Sequence, residues 1–301
     1  MAKEDANVRR VCYRYQRTIA RAAEVQGIGY LTGANVRLRF LPAPPHTGVV
    51  FVRTDIGPTA RVEACVENVT GTNRRTTLGE PPVSVSLVEH VLAALAGLRI
   101  DNCVLEVNAP EPPGLDGSAR NFVEALHNAG VRLLPARREV WCVETSVVLG
   151  HHGATLALHP SDSDDLRVSY LLDYGRQSPL SRQSHTQAIT PASFTNDLAD
   201  CRTFLLEEEA IALRRQGLGA RTSVSDLLVF GLSGPIGNSL RYANEPARHK
   251  ILDLIGDLSL LGQDVRGRLV AYRSGHPLNV ELVRALSRQL PQACGMARKA
   301  A

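Results

Sequence analysis

The chain has 301 residues, 44% hydrophobic and 5% aromatic, enough for one large or two medium domains with cores of Val, Leu, Ile and Ala. Its 34 basic and 30 acidic residues are scattered and leave a net charge of +4, a pattern that excludes a nucleic-acid binder and suits a small anionic ligand. No stretch approaches the roughly 18 apolar residues of a membrane span, and Met1-Ala-Lys-Glu-Asp lacks a signal peptide's apolar region, so a cytoplasmic protein without a membrane span is expected. The six cysteines (Cys12, Cys65, Cys103, Cys142, Cys201, Cys294) form no CxxC pair, which predicts reduced, mostly buried thiols.

Val36-Arg-Leu-Arg-Phe40 alternates strictly and predicts a strand with Arg37 and Arg39 on its polar face. Val49-Val-Phe-Val52 follows a Pro- and Gly-rich turn. Residues 87–98 predict a helix stopped by Gly97, then Cys103-Val-Leu-Glu-Val107 a strand and residues 119–129 a second helix ending at Gly130. At Leu133-Leu-Pro-Ala-Arg-Arg138 the pattern breaks, and we expect a boundary there, between domains 1–136 and 137–301. Strands are expected again at 143–148, 154–158 and 166–172, and helices at 204–216, 249–262 and 278–289. Each half thus offers several strands and about two helices, an α+β pattern occurring twice.

Three segments carry ionisable groups in suggestive company. In His249-Lys-Ile-Leu-Asp253-Leu-Ile-Gly-Asp257 the His and the two Asp fall at about 0°, 40° and 80° on the helix wheel, opposite an apolar face. A His and a carboxylate at i and i+4 can share one metal ion, with Asp257 contacting something beside it; an exposed polar face with an ordinary i,i+4 pair has the same pattern. Glu89-His90 opens a helix, where Ser86-Leu-Val-Glu89 also matches a capping box. Ser274-Gly-His276-Pro277 sits where the strand ending at Tyr272 turns into a helix, a junction of the kind that rims active sites. Together they supply two His and a carboxylate, a spare carboxylate, a Glu and a third His, the inventory of a hydrolytic zinc site with an open fourth position. The other six histidines (His46, His127, His151, His152, His159, His185) have no such company and read as surface or turn residues.

These segments resemble three signature stretches of the UDP-3-O-acyl-N-acetylglucosamine deacetylases, in the family's order, and further matches run from Gln16-Arg-Thr18 through Asn108-Ala-Pro-Glu111 to Arg202-Thr-Phe204. The resemblance implies two similar α+β domains, each a small sheet layered with two helices, the helices sandwiched between the sheets and the active site at their junction. It implies that His90, His249 and Asp253 hold Zn2+, that Glu89 is the general base, and that His276 works with Asp257. Lys250 would face the nucleotide phosphates, Thr203 the reacting carbonyl oxygen, and Phe204 would begin the wall of the acyl passage. The implied substrate is a UDP-linked acylated sugar, hydrolysed at its acetamide in lipid A biosynthesis; a monomer is expected. Two stretches depart from the family pattern. Tyr30-Leu31 stands in place of Leu-His, and Ala220-Arg221-Thr222 precedes Ser223 where two glycines are usual; both bear on the accepted acyl chain. Two other readings use the same inventory: a 2-His-1-carboxylate Fe2+ enzyme, which needs no adjacent Glu base, and a nucleotide-sugar binder without catalysis, which has no use for Glu89.

Overall fold

The alternating segments of the first half become strands in the computed structural model, which describes residues 8–224 and 226–290; the Cys294 thiol lies outside the described residues. The first half runs β1 (Val8–Ile19), β2 (Ala23–Ile28), β3 (Asn35–Pro42), β4 (Val49–Arg53), β5 (Arg61–Glu63), the short β6 (Val69–Gly71), β7 (Thr77–Leu78) and β8 (Val85–Ser86), α1 (Glu89–Gly97), β9 (Cys103–Val107) and α2 (Arg120–Ala129). The second half runs β10 (Val131–Val143), β11 (Val147–His151), β12 (Ala154–His159), β13 (Leu166–Leu172), β14 (Gln183–Ala188), α3 (Pro191–Ser193), β15 (Phe204–Leu206), α4 (Glu207–Arg215), β16 (Leu228–Gly231), β17 (Gly234–Pro235), α5 (Glu245–Ser259), β18 (Asp264–Tyr272) and α6 (His276–Ser287).

A five-stranded sheet in the order β2-β3-β9-β4-β5 carries α1 and α2. On β3, Val36, Leu38 and Phe40 point into the core while Arg39 pairs across the sheet with Glu106 of β9 at 2.6 Å. A second, seven-stranded sheet follows the path β1-β10-β18-β12-β11, with β13 beside β18 and β14 beside β13, and carries α5 and α6. Helix α1 packs on α5, so helices of both halves meet between the sheets, as the α+β expectation has it. Helix α5 buries Ile251, Leu252, Leu254 and Ile255 on one side and His249, Asp253 and Asp257 on the other. A helix enclosed on all sides is central to the fold, and its polar stripe is a built site rather than a solvated face.

The break expected at 133–138 is a strand. β10 runs unbroken from Val131 to Val143 and pairs antiparallel with β1, while its residues 140–142 run parallel to 264–266 of β18. Pro135 escapes the usual penalty because it falls at a register shift, between the pairs Tyr15↔Arg137 and Arg17↔Leu133. The arginines that suggested a linker are paired: Arg138 donates to Asp264 at 2.6 Å, and Arg137 lies 4.0 Å above the Tyr13 ring. Arg14 bridges Asp264 and Asp101 at 2.5 and 2.6 Å, tying β1 to the turn before β9. Residues 136 and 137 therefore lie inside a strand, and β1 belongs to the sheet of the second half. The segment 204–216, expected as a helix throughout, opens instead with three strand residues (β15) before α4, because Phe204 pairs in register with Leu228 of β16. Among the described residues Cys65, Cys103, Cys142 and Cys201 are buried.

Candidate active site

Three elements converge on one point: the first turn of α1, the middle of α5 and the first turn of α6. The closest approach is between α1 and α5, where a Cβ on Gly256 would stand 2.2 Å from the carbonyl oxygen of Glu89. Glycine is what lets the two backbones touch. Gly256→Ala should gain about 0.5–1 kcal/mol of helix preference and lose about 1–3 kcal/mol to overpacking. The second effect wins because a backbone carbonyl cannot swing aside. Chemical denaturation should show net destabilisation; a variant as stable as the parent would show that the contact is loose.

The capping box predicted from Ser86 does not form. Helix α1 starts at Glu89, its cap is Val88, and Ser86 lies in β8 with its hydroxyl 2.9 Å from that of Thr77. The Glu89 carboxylate, 3% exposed, points instead into the cleft: Oε2 accepts from the Thr76 amide at 3.1 Å, and Oε1 lies 3.8 Å from His276 Nε2. Burial pushes its pKa up, with the His276 and His90 imidazoles pulling it back.

His90 Nε2 and His249 Nε2 lie 3.5 and 3.2 Å from one oxygen of Asp253, Oδ1. Ligand atoms of all three residues lie within 4.8 Å of one another. Donors arranged tetrahedrally 2.0–2.1 Å from one ion would stand about 3.3 Å apart. The second oxygen of Asp253 is taken by Lys250 Nζ at 2.7 Å, while Oδ1 is buried with no hydrogen-bond partner. Burial opposes ionisation of Asp253, yet the carboxyl is held well below its usual range, with the Lys250 ammonium beside it favouring the carboxylate. A buried, ionised and orphaned oxygen costs several kcal/mol unless a cation completes it. His249 Nδ1 lies 3.0 Å from the Cys201 carbonyl, which can only accept; the proton therefore sits on Nδ1 and leaves the Nε2 lone pair facing Asp253. Burial pushes the His249 pKa down, so the ring is held neutral as a ligand must be. The donor set fits a divalent metal ion.

His276, the first residue of α6, donates from Nδ1 to Asp257 Oδ2 at 2.8 Å. That same oxygen accepts from Asn279 at 2.8 Å, and Oδ1 from the Thr76 hydroxyl at 2.6 Å. Burial works against the imidazolium, but the Asp257 and Glu89 charges outweigh it and push the His276 pKa up to about 9. Thr203 and Phe204 reach the site from the other side. Their segment is tied to the start of α5 by the buried pair Arg202–Glu245 at 2.8 Å, and the Phe204 ring stands edge-on to those of His249, Tyr174 and Phe230. Glu89, His90, Thr203, Phe204, His249, Lys250, Asp253 and His276 line one cavity of about 760 Å³, whose far arm is walled by apolar residues such as Leu213, Val224, Leu227, Val229 and Ile236.

The LpxC family model, described as UDP-3-O-acyl N-acetylglycosamine deacetylase, matches residues 16–288. The chain belongs to this family. A UDP-3-O-acyl-N-acetylglucosamine deacetylase of Myxococcus xanthus is 39% identical, over 89% of this chain and 85% of that protein. One of Anaeromyxobacter dehalogenans is 38% identical, over 89% and 86%. A bifunctional LpxC/FabZ enzyme of Chlorobaculum tepidum is 36% identical over 91% of this chain, which spans 64% of that relative's length. The α+β architecture agrees with membership of the LpxC family, to which these two deacetylases give the name of their activity.

Helix periodicity brings His249, Asp253 and Asp257 to one stripe, and the structure adds Glu89, His90 and His276 to it. Lys250 is drawn further in than a cleft-rim position, onto Asp253 itself. Sequence reasoning misses Thr76, which joins Glu89 and Asp257 through its amide and hydroxyl and lies 3.3 Å from His276 Nδ1. It sits before a two-residue strand, where no periodicity marks it. Asn279 was legible in principle, standing three residues after His276 on the same face of α6.

Proposed function

We propose that this protein hydrolyses the acetamide of UDP-3-O-acyl-N-acetylglucosamine, an early step of lipid A biosynthesis, with zinc held by His90, His249 and Asp253. The observation that carries the reading is the orphaned Asp253 oxygen between two histidine nitrogens, set beside a carboxylate and a His–Asp pair in a largely apolar cavity. When bound, zinc supplies Lewis-acid activation of water and of the carbonyl. Glu89 is the base that takes a proton from the attacking water, its pKa raised by burial toward the working range. Thr203 lies along the cavity as a donor for the oxygen of the reacting carbonyl. His276, kept protonated by Asp257, delivers a proton to the leaving amine. Lys250 holds Asp253 Oδ2 so that Oδ1 is presented to the ion, and its remaining donors meet the nucleotide phosphates. Phe204 begins the apolar arm that takes the acyl chain.

Mass-spectrometric detection of acetate from a panel of UDP-linked acyl sugars tests the reaction; no acetate from any of them would sink it. The metal has its own test. Replacing His90, His249 or Asp253 with Ala should lower bound zinc and activity together, because three ligands leave none to spare. Stoichiometric zinc by elemental analysis in a folded variant would remove that residue from the set, and iron in the natively purified protein would reassign the metal. No helix among the described residues is long and apolar enough to cross a membrane. The reading includes a cytoplasmic monomer, and sedimentation velocity checks the oligomeric state.

A further inference from the structure

The turn at residues 30–35 and the segment 219–226 are almost 200 residues apart in sequence and meet in space. The turn between β2 and β3 is anchored on the core. Glu111, fully buried, accepts from the Leu31 and Thr32 amides at 2.9 and 2.7 Å, and a Cβ on Gly29 would stand 2.4 Å from its carboxylate. Gly114 leaves room for the Tyr30 ring, since a Cβ there would come within 2.3 Å of it. From this fixed turn, contacts reach across to the segment between α4 and β16. The Tyr30 hydroxyl donates to the Asp226 carbonyl at 2.6 Å, and the Tyr30 carbonyl accepts from the Gly219 amide at 3.0 Å. In the other direction Arg221 Nη1 donates to the Gly33 carbonyl at 2.8 Å and to the Asn35 side chain at 3.1 Å.

The segment so gripped is a cavity wall. Tyr30, Leu31, Leu218, Gly219, Thr222 and Val224 all face the same space as the site residues, along the apolar arm. Within its own half, this wall is tied by Arg214 to the Thr222 carbonyl at 3.2 Å and by Asn238 to the Val224 carbonyl at 2.8 Å. Glycines at 217 and 219 both take positive φ (80° and 69°), so the backbone bends sharply there and gains little from regular structure. Tyr30 and Arg221 add the side-chain ties that carry this wall across to the turn between β2 and β3.

We propose that Tyr30 and Arg221 form a clasp between the two halves that holds residues 217–224 as a rigid wall and so sets the length of acyl chain this protein accepts. The proposal rests on the reading of the apolar arm as an acyl passage. Tyr30→Phe removes only the hydroxyl, Arg221→Ala only the side chain beyond Cβ, and the double variant both. Amide hydrogen exchange of the 218–222 segment should quicken by about fivefold per variant, the worth of one net hydrogen bond. Calorimetric affinities for UDP-3-O-acylglucosamines of increasing chain length should shift in favour of the longer chains, by about fivefold in the long-to-short ratio. The double variant should exceed either single one. Affinities that fall equally for every length, or a ratio equal to the parent's, would overturn the clasp even if exchange quickens; so would unchanged exchange. Neither readout needs turnover. A parent protein that releases no acetate would sink the deacetylase reading alone, while the ratio still decides the clasp.

Discussion

Glu89→Gln should lower kcat by about 10²- to 10⁴-fold, the usual worth of a general base. The substitution keeps the shape of the side chain and leaves an oxygen to accept the Thr76 amide, now made at 3.1 Å, so α1 should start where it does. What it removes is the ability to take a proton, and the negative charge 3.8 Å from His276. Zinc content should hold, because His90 is untouched and Glu89 is outside the proposed ligand set. Two measurements accompany the rate: thermal melting and elemental analysis. A variant with near-parent activity would mean that Glu89 does not transfer protons. A fully active variant with a lowered melting temperature would make its role structural, carried by the Thr76 contact.

Much of the site was legible because it lies on helices, where spacing in sequence becomes a direction in space. His249, Asp253 and Asp257 had to share a stripe once the segment was a helix, and the structure buries all three. Direction did not reveal partners. That Lys250 turns onto Asp253, or that Glu89 ignores its capping position, depends on what packs opposite, and α1 comes as close to α5 as it does because residue 256 is a glycine. The strands were legible where alternation was strict, as at Val36, Leu38 and Phe40. They were hidden where a proline coincided with a register shift: Pro135 reads as a breaker in sequence, and only the pairing of β1 with β10 shows that it falls at an irregularity a strand tolerates. Pairing between residues more than a hundred positions apart leaves no local trace. The same holds for Arg14, Asp101, Asp264 and Arg138, four charges that look like surface residues and form one partly buried network.

His276→Ala should cost a comparable 10²- to 10⁴-fold in kcat, and its pH dependence identifies the group more sharply than the loss itself. A general acid works only while it holds its proton. An isolated imidazole near 6.5 would be mostly neutral at pH 7.5. Here burial disfavours the charged ring, but Asp257, joined through Nδ1 at 2.8 Å, and Glu89 more than offset it and raise the pKa to about 9. A bound divalent ion pulls the other way, so the basic limb of kcat/KM should fall between the ordinary value of 6.5 and about 9. The sign follows directly: activity is present below the His276 pKa and is lost as pH rises through it. Asp257→Asn keeps the size of the side chain and deletes its charge, leaving the imidazolium less favoured, so the basic limb should move to lower pH. In the metal-free parent the raised pKa should also appear as stability that is complete below about 6.5 and lost as pH rises through about 9. A basic limb that stays in place in Asp257→Asn would separate Asp257 from the proton transfer. It would leave the Asp257 carboxylate, with its bonds to Thr76 and Asn279, as the buried brace that joins α5 to α6.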